Sequence, residues 1–300
     1  MTPPPSPAGR LGFGCAHLPG RLGAEGARAL VAAAYDCGVR HFDVARMYGD
    51  GQAEALLGQA LRGRQDAAII TKAGILPASR SLAARAWRSI ERAAPVLAAA
   101  PRPLRSWATP RFGAFSPQEV RASVETSLRE LGVSHVGALL LHECALAHVT
   151  DALKAELRAL KSAGKISAWG LASAAATAAP VMAAHPDLCG IVQYEAGAKL
   201  PRQAGGRVIL HSALGARFHG LLSAFAGDKG MAARFQSAVG VDAKDRAAIA
   251  ALLLHDALAR ADLVLFSSTS AEHIRTNVER AALPPPPELA AFQAFLAAQT

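Results

Sequence analysis

Three things are scarce in this chain, and each scarcity removes a class of protein. Aromatic residues make up only 5% of the sequence, so nucleic-acid bases would lack the aromatic surface on which single strands stack. Cysteine occurs as Cys15, Cys37, Cys144 and Cys189, widely spaced and without a CxxC pair. Neither a metal site nor a disulfide framework is expected, and the four read as reduced thiols packed near strands and helices. Long apolar runs are missing too: no stretch approaches the ~18 residues of a membrane-spanning helix. Met1 to Pro7 has neither the basic start nor the apolar stretch of a secretory leader. The expectation is a soluble, cytoplasmic chain.

Negative charge is also short, leaving a formal net charge of +9. Its location decides what it means. Residues 76–116 hold Arg80, Arg85, Arg88, Arg92, Arg102, Arg105 and Arg111 against Glu91 alone, and so carry six of the nine excess charges. The remainder is nearly balanced, which argues against a nucleic-acid-binding surface and assigns the excess to one segment.

Short β-branched or Leu-rich runs alternate with longer Ala-rich helical stretches, the pattern of βα units around a parallel sheet. Candidate strands are Leu11 to Cys15, His41 to Ala45, Ala68 to Lys72, Val136 to His142, Ile166 to Leu171, Gly190 to Tyr194, Arg207 to His211 and Leu263 to Ser267. Candidate helices are Ala24 to Cys37, Ala53 to Arg62, Pro117 to Leu131, Val149 to Ala163, Ala175 to Ala184, Ala243 to Leu258 and Ala271 to Ala281. Ser116-Pro117-Gln118-Glu119 offers a cap, a first-turn proline and an acid. Eight strands suit an α/β fold, a (β/α)8 TIM barrel forming one domain over residues 1–300.

Two departures from a regular barrel are expected. Only about a dozen residues separate the sixth and seventh strands, too few for a full crossover helix, so the sixth helix is reduced to a loop. Conversely, about forty residues lie between the third strand and the third helix. Within this insertion, residues 76–116, Leu82, Ala86, Ile90 and Ala93 share one helical face and Arg85, Arg88 and Arg92 another, until Pro95. A basic helical loop over the third strand follows.

Catalytic groups of barrels stand at the carboxyl ends of strands. Asp43, Lys72 and His142 each close an apolar strand, and Tyr48 lies just beyond the second. Their settings are His41-Phe42-Asp43-Val44-Ala45-Arg46-Met47-Tyr48-Gly49-Asp50-Gly51, Ile69-Ile70-Thr71-Lys72 and Ala138-Leu139-Leu140-Leu141-His142-Glu143. Any one alone would read as a structural or solvated group; the order and settings together resemble the aldo-keto reductase family, with its Asp, Tyr, Lys and His tetrad around a nicotinamide. Further stretches carry the resemblance: Gly164-Lys165-Ile166 leading to Trp169-Gly170, Ile191-Val192-Gln193, Ser212-Ala213-Leu214-Gly215 and Leu265 to Val278.

The resemblance implies an NAD(P)-dependent oxidoreductase interconverting an aldehyde, ketone or sugar carbonyl with an alcohol. Tyr48 would hand a proton to the carbonyl oxygen. Lys72, held by Asp43, would draw the phenol down from its ordinary value near 10, and His142 would orient the oxygen and stabilise charge there. By the same resemblance, Gln193 and Ser173 match the residues that hold the nicotinamide carboxamide, with Ala172 replacing a serine. His211 stands where an aromatic side chain stacks on the ring, and Asp43 is also counted among the cofactor contacts. Ser212, Leu214 and Gly215 match the pyrophosphate segment; Ser268, Ser270, Arg275 and Asn277 match or neighbour the adenosine-side contacts. Where many NADPH-using members carry a lysine and an arginine, this chain has Ser267 and His273, with Arg275 close by. NADP is favoured, with NAD the alternative.

Ala172 and His211 motivate a second reading, a cofactor-binding regulatory or redox-sensing protein with little turnover; the intact tetrad argues against it. A Schiff-base aldolase using Lys72 is a distant third. For the insertion, the arginines suggest a lid attracting an anionic substrate, while Trp87 and the amphipathic pattern over 81–94 leave peripheral membrane or partner contact open. A basic helix packed on the barrel is the plainest alternative.

Overall fold

The computed structural model describes residues 7–78 and 109–299. Its eight strands are β1 Leu11–Gly14, β2 His41–Asp43, β3 Ala68–Ala73, β4 Val136–His142, β5 Ile166–Ala172, β6 Ile191–Glu195, β7 Arg207–His211 and β8 Leu263–Phe266. They close in sequence order, every pair parallel and β8 returning to β1. This is the expected (β/α)8 barrel, with strand boundaries shifted by a residue or two.

Strand alternation explains both the core and the site. Ile70, Ala138, Leu140, Ala172, Ile191, Ile209, Leu263 and Leu265 form one apolar cluster. By the two-residue period of a strand they share a face, the barrel interior. Their strand neighbours Ile69, Leu139, Leu141, Leu171, Val192, Leu210 and Val264 belong to the larger cluster shared with the surrounding helices. Counting on by twos along the inner face reaches Lys72 on β3, His142 on β4, Gln193 on β6 and His211 on β7. The polar groups stand as the next layer above an apolar plug.

The surrounding helices are α1 Gly23–Asp36, α2 Ala53–Ala60, α3 Pro117–Leu131, α4 Asp151–Ser162 and α5 Ala175–Ala184. The later ones are α6 Ala216–Gly227, α7 Lys229–Val239, α8 Arg246–Arg260, α9 Ala271–Ala282 and α10 Leu289–Ala297. Ser116 and Glu119 form a reciprocal capping box at α3, with Pro117 in its first turn and Gly132 left-handed at its end. Thr150 caps α4, Asp245 caps α8 and Ser270 caps α9. Residues 196–206, between β6 and β7, contain no helix.

Three helices were not expected from the sequence: α6, α7 and α10. They share an apolar cluster of their own, with Leu221, Phe225, Phe235, Val239, Phe292 and Phe295 packed against Ile249, Leu252 and Leu253 of α8. Phe235 is its hub, with ring centroids 4.6 Å from Phe225, 5.3 Å from Phe295 and 6.2 Å from Phe292. The buried Asp256 of α8 ties the layer together, accepting from Arg217 of α6 at 2.6 Å and Gln293 of α10 at 3.1 Å. The apolar residues of α6 and α7 meet an outer layer rather than the barrel, so the βα pattern did not pick them out.

The basic segment expected over 81–94, including Arg85, Trp87, Arg88 and Arg92, lies outside the described residues. The stem that carries it is defined: Leu76 and Arg111 exchange backbone hydrogen bonds of 2.9 and 3.0 Å. No helix of the described residues is long and apolar enough to cross a membrane.

Phe235→Ala is expected to cost about 3–5 kcal/mol by emptying the hub of the outer cluster. Urea unfolding should show a lower midpoint; an unchanged midpoint would mean that this layer does not contribute to stability.

Candidate active site

A cavity of about 930 Å³ opens at the carboxyl ends of the strands, within the range of small-molecule and cofactor sites. Asp43, Tyr48, Lys72 and His142 all line it, together with Ser173, Gln193, His211, Ser212, Leu214, Gly215, Ser268 and Asn277. Two of the residues singled out from the sequence do not. Ser270 instead caps α9, accepting from the His273 N–H at 3.4 Å. Arg275 is exposed on a different face of α9 from His273, Thr276, Asn277 and Arg280, which do line the cavity.

At the floor, the fully buried Lys72 donates to Asp43 Oδ1 at 2.5 Å and to the Val44 carbonyl at 3.1 Å. Its Nζ lies 4.9 Å from the centroid of the Tyr48 ring, close enough for the two groups to bias each other's ionisation. Burial alone would push the Lys72 ammonium down, but the Asp43 carboxylate and the Tyr48 phenol outweigh it and hold the pKa above the ordinary lysine value. Lys72 is therefore charged at neutral pH.

Tyr48 corrects one expectation. Its hydroxyl is pushed above the ordinary phenol value of 10.0, because burial outweighs the opposing pull of Lys72 and Asp43 adds to the upward shift. The physical reason is that the ammonium does not act alone. Its carboxylate partner sits in the same pocket, so the phenol faces an ion pair rather than a free positive charge. Tyr48 is protonated at neutral pH, in the state needed to donate.

His142 faces Tyr48 across the cavity, ring centroids 6.0 Å apart and planes at 89°. Burial is the largest influence on its imidazole, followed by Lys72 and His211, and together they push the pKa down to about 3. The ring is neutral throughout the physiological range and can offer one N–H without adding charge. His211, on β7, is also pushed down, again chiefly by burial, and its Nδ1 lies 2.9 Å from Ser212 Oγ. Ser212 holds a left-handed φ of 64° at this turn.

The loop that carries Tyr48 is fixed by a network not anticipated from the sequence. Glu54 of α2, almost completely buried, accepts from Arg46 at 2.8 Å and from the Thr71 hydroxyl at 2.7 Å. Arg46 precedes Tyr48 and Thr71 precedes Lys72, so one carboxylate links the phenol's loop to the ammonium's strand. Gly49 completes the fit: its φ is 58°, and a Cβ there would fall 2.1 Å from the Leu18 carbonyl oxygen.

On the opposite wall, Ser173 Oγ accepts from the Cys144 N–H at 3.2 Å. Glu143 accepts from the Ala174 N–H at 3.2 Å and Glu195 from the Ala175 N–H at 3.3 Å. Two strand-end carboxylates thus cap α5, whose own cap residue is an alanine. Gln193 Oε1 and Asp43 Oδ2 are buried and have no partner among the described residues. Such acceptors are costly unless a ligand satisfies them. They fit the amide and hydroxyl donors of a nicotinamide riboside.

The outer wall adds cavity residues that sequence reasoning missed: Phe218 and His219 of α6, Arg246 of α8 and Arg280 of α9. Arg280 was legible in principle, since it follows His273 and Asn277 on one helical face. Arg246 and the α6 pair were hidden with the unexpected outer layer.

A closed parallel barrel thus gathers a protonated phenol, an ammonium–carboxylate pair and a neutral imidazole around one strand-end cavity. Residues 10–200 match the aldo/keto reductase family, and the chain belongs to it, a family of NAD(P)H-dependent oxidoreductases. Among its relatives, a pyridoxal 4-dehydrogenase of Microbacterium luteolum is 33% identical over 184 residues, 54% of this chain and 51% of that protein. A probable aldo-keto reductase 1 of Glycine max is 27% identical over 226 residues, 70% of this chain and 57% of that protein. The chain thus spans about half the length of the curated relatives it matches. Solved structures share the fold. An aldo-keto reductase of Bacillus halodurans in its holo form superposes with a TM-score of 0.70 at 19% identity, covering 95% of this chain and 91% of that one. One of Klebsiella pneumoniae in complex with NADPH gives 0.66 at 19% identity, covering 97% and 90%.

Asp43→Asn leaves the Lys72 ammonium buried without its counter-charge and should destabilise the fold by about 3–5 kcal/mol. Lys72→Met should do the same to Asp43. The double variant Asp43→Asn/Lys72→Met should be less destabilised than the sum of the two. Additive losses in urea unfolding would contradict a coupled pair.

Proposed function

We propose that this chain interconverts a small carbonyl compound and the corresponding alcohol with NADP, using Tyr48 as proton donor and acceptor. The observation that carries this reading is the protonated Tyr48 hydroxyl, set beside the Lys72–Asp43 pair and across from a neutral His142 in one cavity. When bound, NADP would supply or accept the hydride. Gln193 and Ser173 would hold its carboxamide, Asp43 Oδ2 would be available to a ribose hydroxyl, and Ser212, Leu214, Gly215 and Ser268 would hold its diphosphate.

The residues around the substrate oxygen divide the work. His142 donates a hydrogen bond to it and fixes its direction. Tyr48 Oη delivers the proton as negative charge develops. Lys72 then stabilises the phenolate that remains, and Asp43 keeps the ammonium in place. In the oxidative direction the same phenolate takes the proton back. The related pyridoxal 4-dehydrogenase suggests an aromatic aldehyde and its alcohol as the substrate pair.

Tyr48→Phe is expected to lower kcat for carbonyl reduction by about 10²–10⁴-fold while leaving NADPH affinity, read by cofactor fluorescence, unchanged. Activity near the wild-type level would remove Tyr48 from the chemistry. A wild-type protein that binds NADPH yet turns over no carbonyl in a broad panel would favour the regulatory reading.

The pH profile follows from the two shifts. Reduction requires protonated Tyr48 and neutral His142. The rate should therefore show no step near 6.5, the ordinary histidine value, because His142 stays neutral down to about 3. It should fall only above 10.0, where the raised phenol finally ionises. An acid limb between pH 6 and 7 that disappears in His142→Gln would contradict a neutral imidazole.

A further inference from the structure

The outer end of the cavity holds two guanidinium groups without counter-charges. Arg246, the first residue of α8, and Arg280, on the cavity face of α9, both line the cavity. Neither makes a salt bridge among the described residues. Nine other arginines, Arg40, Arg46, Arg64, Arg111, Arg121, Arg202, Arg217, Arg234 and Arg260, are ion-paired. Arg246 instead lies 5.1 Å from the centroid of the Phe218 ring. Arg280 is half-buried, and desolvation alone pulls its pKa below the ordinary arginine value, with no carboxylate opposing it. The nearest acid in sequence to Arg246, Asp245, spends Oδ1 on the N–H groups of Ala247 and Ala248 at 3.0 and 2.9 Å. Arg280, half-buried and unpaired, is costly, and the exposed Arg246 beside the same cavity adds repulsion. The arrangement calls for an anion.

Position identifies which anion. The tetrad stands on β2, β3 and β4, whereas α8 and α9 flank β8, so the cavity runs from the barrel axis, over the rim, into the cleft between these two helices. His273, Asn277 and Arg280 extend along α9 for about 10 Å, the length of a nucleoside. Helical side chains lean toward the N-terminal end, which turns Arg280 back toward the cavity mouth. A dinucleotide with its nicotinamide on the axis would cross the rim at Ser212 to Gly215 and Ser267 to Thr269. Its adenosine half would then lie in the cleft. NAD would place only neutral groups there. NADP places a phosphate monoester dianion there, the kind of group that arginine forks hold.

We propose that Arg246 and Arg280 together bind the 2′-phosphate of NADP, taking the role for which Ser267 and His273 are poorly equipped. Ser267 has its hydroxyl committed to the Gly14 carbonyl at 2.8 Å. Arg275, the cation that the sequence suggested, points elsewhere. This inference rests on the cofactor reading above and adds to it the two side chains that would make the enzyme prefer NADP.

The test uses nucleotides that lack nicotinamide and so do not engage the tetrad. Calorimetric titration of the full chain with adenosine 2′,5′-bisphosphate and with adenosine 5′-monophosphate should give tighter binding of the bisphosphate. Arg246→Gln and Arg280→Gln should each weaken the bisphosphate by about 10-fold, and both together by about 100-fold, with the monophosphate unchanged. Bisphosphate binding unaffected by both single variants would overturn the proposal, as would equal losses for both nucleotides, which would make the arginines readers of the adenine or the 5′-phosphate. Fluorescence titration with NADPH separates the two levels. If NADPH binds the wild type but indifferently to Arg246 and Arg280, only this inference falls; if the wild type binds neither NADPH nor NADH, the cofactor reading falls with it.

Discussion

The ion pair between Lys72 and Asp43 is the constraint on which the rest of the site depends. The two groups sit inside a barrel with almost no exposure, on adjacent strands, and the Asp43 carboxylate is what offsets the burial of the Lys72 ammonium and holds it charged. Because they form a pair, they present Tyr48 with a local field rather than a net charge. That is why burial sets the direction of the phenol's shift and leaves it protonated. On the proposed reading the site is thereby prepared as an acid, and Lys72 would contribute most once the proton has left, when a phenolate beside it would replace a neutral hydroxyl. The same ammonium also helps hold His142 neutral, so a single buried pair biases the protonation states on both sides of the proposed substrate position.

The barrel makes this arrangement economical in sequence. Each inward-facing strand position adds either to the apolar plug or, one pleat further, to the polar rim. Ile70 and Lys72 differ by two residues on β3, as do Leu140 and His142 on β4 and Ile209 and His211 on β7. The exception is Tyr48, which stands on a loop and needs its own support. Glu54, Arg46 and Gly49 provide it, locking the loop to β3 and to the segment around Leu18. The outer layer of α6, α7 and α10 plays the corresponding part for the far end of the cavity.

Much of this was legible before the structure, for a physical reason. Alternation in strands is a short-range signal, so all eight strands and the short β6–β7 connection could be read directly, whereas Asp43, Tyr48, Lys72 and His142 were singled out by the resemblance to aldo-keto reductases. What escaped was anything decided by contacts between distant elements. Ser270 and Arg275 lie one or two positions from cavity residues, and only the orientation of α9 separates a helix cap and an exposed side chain from the wall. Likewise, the tyrosine's shift depended on whether burial or Lys72 prevailed, a balance that no motif reports. Arg246 lay beyond reach because its neighbours on α6 and α7 pack against an outer layer rather than the barrel.

The central claim is that the buried pair leaves Tyr48 protonated while still lowering the cost of its ionisation. With three tyrosines in the chain, Tyr35, Tyr48 and Tyr194, carbon-13 labelling of the phenol Cζ lets each titration be followed by NMR, with Tyr48→Phe making the assignment. The account predicts a Tyr48 midpoint above the ordinary 10.0, moving higher still in Lys72→Met. A midpoint well below that value, or one that falls when Lys72 is removed, would contradict it.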